Sequence, residues 1–236
     1  MKLNAFFVTL FSGLSFYIGY VITKIIKDEK KLSIFAVGFA FSIMLGLCFF
    51  DMLPECMEMA SKPLMFLCML GGILLLKVLD LFIPDHEHTH KKDHIEHIGV
   101  ISSIALFLHN TIEGTAIYTT SSSNLKMGLL MALGVSCHNI PLGIQTSSLV
   151  RNKKERIGLL SLLALSSIFG VLIIDIFNIT INEMITQILI CISFGMLMYI
   201  SLFELLCEVK DNIKKRELLY GLLCGLIIIF LGIFIH

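Results

Sequence analysis

The stretch LFLHNTIEGTAIY, residues 106–118, decides how the rest of this sequence is interpreted. It carries His109, Asn110 and Glu113 inside a segment that is otherwise apolar or small. Spacings of three and four residues place the three side chains on one face of a helix. A glutamate in such a segment needs a partner, and the surroundings of the segment decide what that partner is.

The composition is that of an integral membrane protein. Hydrophobic residues make up 56% of the 236 residues, charged residues make up 15%, and the mean hydropathy is +0.89. These values lie well outside the range of soluble domains. We therefore predict an all-α membrane protein that forms a single transmembrane domain over residues 1–236. Its eight transmembrane helices are apolar runs of about the 20 residues that cross a bilayer, at 4–23, 33–53, 63–83, 98–120, 125–150, 157–177, 184–207 and 217–235.

Basic residues are shared unevenly between the two sides of the membrane. One side holds only Lys2, Lys62 and Lys126, while Lys77 lies within the third span. Because positively charged loops stay in the cytoplasm, both termini are predicted to lie outside. The loops after spans one, three, five and seven hold the other 14 of the 18 lysines and arginines: Lys24, Lys27, Lys30, Lys31, Lys91, Lys92, Arg151, Lys153, Lys154, Arg156, Lys210, Lys214, Lys215 and Arg216.

Two pairs of segments resemble each other although their spans run in opposite directions. FDMLPE at 50–55 aligns without a gap with FELLCE at 203–208. HNTIEG at 109–114 aligns in the same way with HNIPLG at 138–143. Inverted halves that meet at the middle of the membrane produce such matches. We expect a 3+2+3 inverted-repeat bundle with a pseudo-twofold axis in the membrane plane.

The fourth and fifth spans together predict a metal site. Pro141 lacks a backbone N–H and is expected to kink the fifth helix beside His138. His109, His138 and Glu113 form a set of two imidazoles and one carboxylate, which is a known arrangement for zinc and also suits other transition metals. A cation would offset the cost of a carboxylate at the bilayer centre, about 2.5–3.5 kcal/mol.

Two further features of the site are left open by the residues alone. Asn110 and Asn139 follow the two histidines and can serve as weaker oxygen donors beside the main site. The alternative is that His109 and Glu113 bond only to each other and brace the bundle. The second His-Asn pair, on a neighbouring span of opposite direction, favours the metal site over this alternative.

At this point the sequence resembles a known family. HNTIEG and HNIPLG are similar to the fourth-span and fifth-span signatures of the ZIP (Zrt/Irt-like) family of divalent metal transporters, in its bacterial GufA/ZupT-like branch. GFAFSIMLGLCFFDMLPE at 38–55 and SFGMLMYISLFELLCE at 193–208 resemble the second and seventh spans of that branch. The likeness covers essentially the whole chain.

The resemblance implies a metal pathway between spans two, four, five and seven, and it implies a homodimer. It places a main metal site at His109, Glu113 and His138, and a second site at Asn110, Asn139 and again Glu113. Asp51 and Glu204 would flank the two mouths of the pathway, where their charges attract cations.

The metal site is reduced relative to the family pattern. Leu142 stands where the family usually has a bridging glutamate, Ile112 replaces a proline, and Ser167 replaces a further carboxylate on the sixth span. A doubly occupied site would have one carboxylate against four positive charges, so we expect a single ion. Gln145, one turn beyond Leu142, can supply a replacement oxygen or simply pack against a neighbour.

A histidine-rich segment at 84–97 separates spans three and four on the predicted cytoplasmic side. Tracts of this kind bind metals, and we interpret this one as a weak receiving or sensing site. The alternative is a solvated linker with incidental affinity. The segment contains five of the eight histidines: His86, His88, His90, His94 and His97.

The predicted function is transport of a divalent metal, first of all zinc, across the cytoplasmic membrane into the cytoplasm. The expected substrate is Zn²⁺ or a similar cation, and the protein is expected to be embedded in the lipid bilayer. No organic cofactor, enzymatic activity or nucleic-acid partner is expected. A membrane metal sensor or non-transporting relative is the alternative, because two carboxylates are missing. An intramembrane metallohydrolase is less consistent with the sequence, since no general base remains once Glu113 binds metal.

Overall fold

The computed structural model describes residues 3–25, 28–82, 91–150, 152–177 and 183–235, with the side chains of Glu29, 79–82, 91–99, His138, Phe177, Glu183 and 232–235 outside the description. Within these residues the chain forms helices and no strand, which confirms the predicted all-α class. The described residues form eight helices. Helices α2 and α7 are each built from three consecutive segments. The eight helices are α1 Leu3–Thr23, α2 Glu29–Gly46 with Leu47–Met52 and Leu53–Glu58, α3 Lys62–Phe82, α4 Lys91–Ser123, α5 Leu125–Leu149, α6 Lys153–Phe177, α7 Glu183–Tyr199 with Ile200–Leu205 and Leu206–Asn212, and α8 Arg216–Ile235.

Short polar side chains at the membrane surface start several of these helices. The Asp28 carboxylate accepts a hydrogen bond from the Lys31 N–H at 3.1 Å and caps α2, and this bond holds the pKa of Asp28 below its ordinary value. Asn124 accepts from the N–H groups of the second and third residues of α5, and Asn152 accepts from the second residue of α6. Such caps satisfy N–H groups that the first helical turn leaves unpaired.

The helices have the length and the apolar composition of membrane-spanning helices. Counted over the described residues, six of them are long and apolar enough to cross a bilayer, namely α1, α2, α4, α5, α6 and α7. The other two, α3 and α8, have 21 and 20 residues, which is also a spanning length. Large apolar side chains point out of the bundle, as on α1 at Leu3, Phe7, Phe11, Leu14 and Ile18. The prediction of a multi-pass membrane protein is therefore confirmed.

Glycines bring four pairs of helices into close contact: α1 with α5, α2 with α8, α3 with α7, and α4 with α6. At each glycine an added Cβ atom would overlap the backbone of the partner helix. Small residues allow this approach, and the resulting packing holds helices together where lipid offers no hydrophobic driving force. In the order of the four pairs, the glycines are Gly19 and Gly143, Gly38 and Gly221, Gly72 and Gly195, and Gly114 and Gly170.

Helices α2 and α7 each contain one six-residue π-helical segment, Leu47–Met52 in α2 and Ile200–Leu205 in α7. An acidic residue is the fifth residue of each segment, Asp51 in the first and Glu204 in the second. A π turn changes the direction in which the following side chains project, and such turns are frequent at functional sites. The sequence alignment of 50–55 with 203–208 did not predict this backbone feature.

The packing of α3 against α7 can be tested with neighbouring glycines. In Gly72→Ala the new methyl group would overlap the Ile192 carbonyl oxygen, whereas at Gly71 no atom lies within 4 Å of the added carbon. We expect Gly72→Ala to lower the free energy of unfolding by about 1–3 kcal/mol, and Gly71→Ala to cause no loss. Thermal unfolding of the purified protein in detergent measures both. Equal stabilities of the two variants would contradict the described packing.

Candidate metal site

His109 and Glu113 lie in contact on the buried face of α4. His109 is 3% exposed, and its Nε2 atom is 3.2 Å from Oε1 of Glu113. Its other ring nitrogen, Nδ1, lies 3.4 Å from the Ser193 hydroxyl on α7. The bracing contact that the sequence left open as an alternative is therefore present in the fold.

The same contact has the dimensions of a metal site. Zinc binds imidazole nitrogen and carboxylate oxygen at about 2.0–2.2 Å, so two such ligands of one tetrahedral ion are separated by roughly 3.3 Å. The 3.2 Å between His109 Nε2 and Glu113 Oε1 matches this separation. The distance is therefore compatible with the predicted binding of one cation by both groups.

A cavity of about 130 Å³ leads to this pair from one side of the bundle. It lies between α2, α4, α5 and α7, the helices that the resemblance implied for the pathway. Ala116 of α4 and Thr186 of α7 line its outer part, and both lie toward the helix ends on the side of the α4–α5 turn. Charged and polar groups in its wall are Asp51, Glu55, His109, Glu113, Thr186 and Ser193.

Three buried amide side chains carry polar atoms without hydrogen-bond partners. Both amide atoms of Asn110, which is 0% exposed, and of Gln145, which is 1% exposed, are unpaired. Asn139 donates to the Ser12 carbonyl at 3.3 Å, but its Oδ1 has no partner. An unpaired buried group of this kind costs about 1–3 kcal/mol. Their oxygens are therefore suitable neutral donors for a cation.

The third predicted ligand is only partly described. The backbone of His138 is helical within α5, but its side chain lies outside the described residues. Among the side chains that the structure does describe, no three histidine, cysteine, aspartate or glutamate groups are close enough to hold one metal ion. The set of His109, Glu113 and His138 therefore stays a prediction.

The predicted pathway residues occupy different surroundings. Asp51 lines the cavity, and Glu204 lies in the π segment of α7. Ser167 is 1% exposed, and its backbone packs against Gly114. Its hydroxyl lies on the side of α1, 3.3 Å from where a Cβ atom on Gly13 would be. A direct role of Ser167 in the pathway remains a prediction.

The histidine-rich segment lies outside the described side chains. Residues 83–90, with His86, His88 and His90, are not described, and the segment 91–99 is described by its backbone alone. That backbone is already helical from Lys91, upstream of the predicted start of the span at residue 98. The metal affinity of His94 and His97 therefore stays a prediction.

Several residues of the site were missed in the sequence, Ser193 and Met131 among them. Ser193 contacts His109, and Met131 of α5 lines the cavity. Both are the kind of small or apolar residue that occurs throughout the spans, and their sequence neighbourhoods carry no signal of a site. Only the packing of α5 and α7 beside α4 reveals them.

Comparison with known proteins finds similarity along nearly the whole chain. The sequence model of the family described as ZIP Zinc transporter matches residues 1–100 and 83–235. The zinc transporter ZupT of Streptococcus mutans serotype c is 27% identical over 256 residues, which cover 95% of this chain and 94% of the relative. ZupT of Campylobacter jejuni is 27% identical over 97% of this chain and 95% of its own, and ZupT of Salmonella arizonae is 28% identical with the same coverage.

The family model covers nearly every residue of the chain in its two matches. The predicted resemblance and the prediction of a transporter rather than an enzyme are thereby confirmed. This chain belongs to the ZIP zinc transporter family.

Proposed function

We propose that the chain carries zinc, or a similar divalent cation, across the cytoplasmic membrane into the cytoplasm through a site on α4 and α5. The observation that supports this most directly is the cavity that leads to His109 and Glu113, whose ligand atoms have the separation expected around one zinc ion. The relatives named ZupT are zinc transporters, which favours zinc as the substrate.

The orientation follows from the basic loops. The cavity lies on the side of the α2–α3 and α4–α5 turns, which carry few lysines, so it faces outward if positive loops are cytoplasmic. Asp51 and Glu55 in its wall attract cations from that side. A cation that reaches Glu113 is released on the side where α5 and α7 end, near Glu204.

A 3+2+3 inverted repeat is part of the proposal and is supported by equivalent contacts. One shift in residue number relates the π segments Leu47–Met52 and Ile200–Leu205, and the same shift takes Gly72 to Gly225. Gly72 packs on α7 and Gly225 packs on α2. The pairing of α3 with α7 is therefore the counterpart of the pairing of α8 with α2.

The two central helices obey the same relation. The difference in residue number between His109 and His138 is the same as that between Gly114 and Gly143. The backbone of Ser167 on α6 packs against Gly114, and the backbone of Phe16 on α1 packs against Gly143. Alternating access in such folds moves one set of helices against another around a fixed site. The pairs α1–α5 and α4–α6 are suitable units for this motion.

The residues at the site favour one ion at a time. Glu113 is the single carboxylate on the described faces of α4 and α5 at this depth, and the positions of Leu142 and Ser167 are buried and uncharged. Two divalent ions held on α4 and α5 would share this one carboxylate and repel each other in surroundings of low dielectric constant. The other carboxylates in the cavity wall, Asp51 and Glu55, lie on α2. Asn110, Asn139 and Gln145 would complete the coordination with neutral oxygens. Weak neutral donors also ease release of the ion.

A metal sensor or non-transporting relative is the second candidate. The observation that favours it is the absence of a carboxylate at Leu142, which is fully buried in the main apolar core. Such a protein would bind the ion without moving it. A homodimer, which the resemblance implies, is compatible with either function and would be measured as the mass of the purified complex.

The metal site predicts a specific loss of affinity. Glu113→Gln removes the carboxylate that contacts His109, and we expect it to weaken cobalt or zinc binding to the purified protein by about 100-fold. The matched control is Glu58→Gln, since Glu58 is an exposed carboxylate at the end of α2 on the same side of the bundle. Titration with Co²⁺, followed by its visible absorption, measures both. Identical affinities would place the site elsewhere.

Zinc uptake into proteoliposomes tests the transport function. We expect uptake by the wild type, none by Glu113→Gln, and little change when the five histidines of 84–97 are replaced by alanine. Leu142→Glu adds a carboxylate at a buried position, so zinc should bind it more tightly and leave it more slowly. Tight binding by the wild type without uptake would support the sensor instead.

The orientation predicts which residues a membrane-impermeant maleimide reaches in intact cells. In a parent with the exposed Cys137, Cys207 and Cys224 replaced by serine, Ser123→Cys should be labelled from outside. Lys214→Cys, at the opposite ends of the helices, should be labelled only after permeabilisation. The reverse pattern would invert the proposed direction of transport.

A further inference from the structure

A cationic cluster lies at the end of α1, far from the metal site. Nζ of Lys24 is 4.3 Å from the centroid of the Tyr20 ring, and the guanidinium carbon of Arg156 is 5.8 Å from the same centroid. Lys24 follows the last residue of α1, whereas Arg156 lies in the first turn of α6. Cation–π attraction thus brings two positive charges from distant parts of the chain to one ring.

Arg156 is positioned by the end of a third helix. Its Nη1 donates to the carbonyl of Ser147 at 3.2 Å, in the last turn of α5, where a cation also interacts favourably with the helix dipole. Its Nε is buried and has no hydrogen-bond partner. A guanidinium carries five N–H donors, so the terminal Nη groups of Arg156 keep donors for an acceptor outside the chain.

No described carboxylate neutralises this cluster. Among the side chains that the structure describes, neither Lys24 nor Arg156 forms an ion pair. Two acidic residues nearby in the sequence are engaged elsewhere: Asp28 pairs with Lys31 at 3.4 Å, and Glu155 accepts from Asn152 at 2.8 Å. An anion is therefore the chemical complement of this surface.

We propose that Lys24, Arg156 and Tyr20 bind the phosphate group of an anionic phospholipid. Lys24 and Arg156 directly flank the predicted spans 4–23 and 157–177, which places them at the level of the lipid head groups. Arginine binds phosphate through paired N–H donors, and basic pockets between transmembrane helices bind anionic head groups. This site goes beyond the transport function and does not depend on it.

A lipid fits the surroundings better than a free phosphate ion. Beside the cluster, α1 exposes Ile18, Val21 and Ile22, which are 52%, 56% and 37% accessible, and α6 exposes Ile157. These side chains offer an apolar surface for acyl chains below the head group. A bound lipid would bridge α1 and α6 and, through Arg156, the end of α5.

The test measures lipid binding to the full-length protein in detergent by native mass spectrometry. The probes are phosphatidylglycerol, phosphatidylcholine and inorganic phosphate. We expect the wild type to bind one phosphatidylglycerol more tightly than phosphatidylcholine. Arg156→Gln and Lys24→Gln should each weaken phosphatidylglycerol binding about fivefold and leave phosphatidylcholine binding unchanged.

The matched control is Lys154→Gln, which removes the same charge from the same turn of α6 without touching the Tyr20 cluster. It should retain wild-type binding of phosphatidylglycerol. Lys24 is exposed, so Lys24→Gln tests the site even if Arg156→Gln fails to fold through loss of its bond to Ser147.

Three results would overturn the proposal. One is equal loss of phosphatidylglycerol binding in Lys154→Gln and Lys24→Gln, which would indicate general surface charge. Another is equal affinity of the wild type for the two lipids. The third is displacement of phosphatidylglycerol by micromolar inorganic phosphate, which would assign the cluster to a free anion.

Discussion

A carboxylate in the hydrocarbon region of a membrane needs a positive partner, and Glu113 imposes this requirement on the whole bundle. Leaving it unpaired costs about 2.5–3.5 kcal/mol on insertion scales. The fold answers with the contact to His109 at 3.2 Å and with a cavity that reaches the pair from one side. In the proposed site, a divalent cation bound by both His109 and Glu113 would become the positive partner of the carboxylate. The group that is costly for folding is thereby the group that makes ion binding favourable.

The neutral groups around Glu113 set how strongly an ion is held. Amide atoms without hydrogen-bond partners lie in the interior on Asn110, Asn139 and Gln145. Each such atom lowers the stability of the fold unless it binds a hydrogen-bond partner or a cation. Leu142 and Ser167, which are both buried, contribute no charge. The proposed site on α4 and α5 thus has one carboxylate and several weak neutral donors, and this set favours one ion over two because two ions would repel each other.

The glycine contacts explain how these groups come together. Helices α4 and α5, which carry the His-Asn pairs, are each held by an outer helix across a glycine, α4 by α6 and α5 by α1. The π segments of α2 and α7 carry Asp51 and Glu204 at equivalent positions of the two helices. Close packing on one side and altered helix winding on the other leave the cavity between α2, α4, α5 and α7.

The sequence by itself determined the features that depend on local periodicity and composition. Apolar runs of spanning length predicted the helices, and spacings of three and four residues put His109, Asn110 and Glu113 on one face, because helical geometry repeats along the chain. The motifs at 109–114 and 138–143, in combination with the segments 38–55 and 193–208 and the eight predicted spans, indicated the family.

Only the tertiary structure decided which distant residues meet. The contact of Ser193 with His109, the position of the cavity, the π segments, and the meeting of Lys24 with Arg156 at Tyr20 all join parts of the chain that are far apart in sequence. Apolar transmembrane segments have similar compositions on all faces, so their sequences do not state which face packs on which neighbour. Backbone contacts at glycines such as Gly114 and Gly143 contribute to that choice, because two helices approach so closely there that an added Cβ atom would overlap the partner helix.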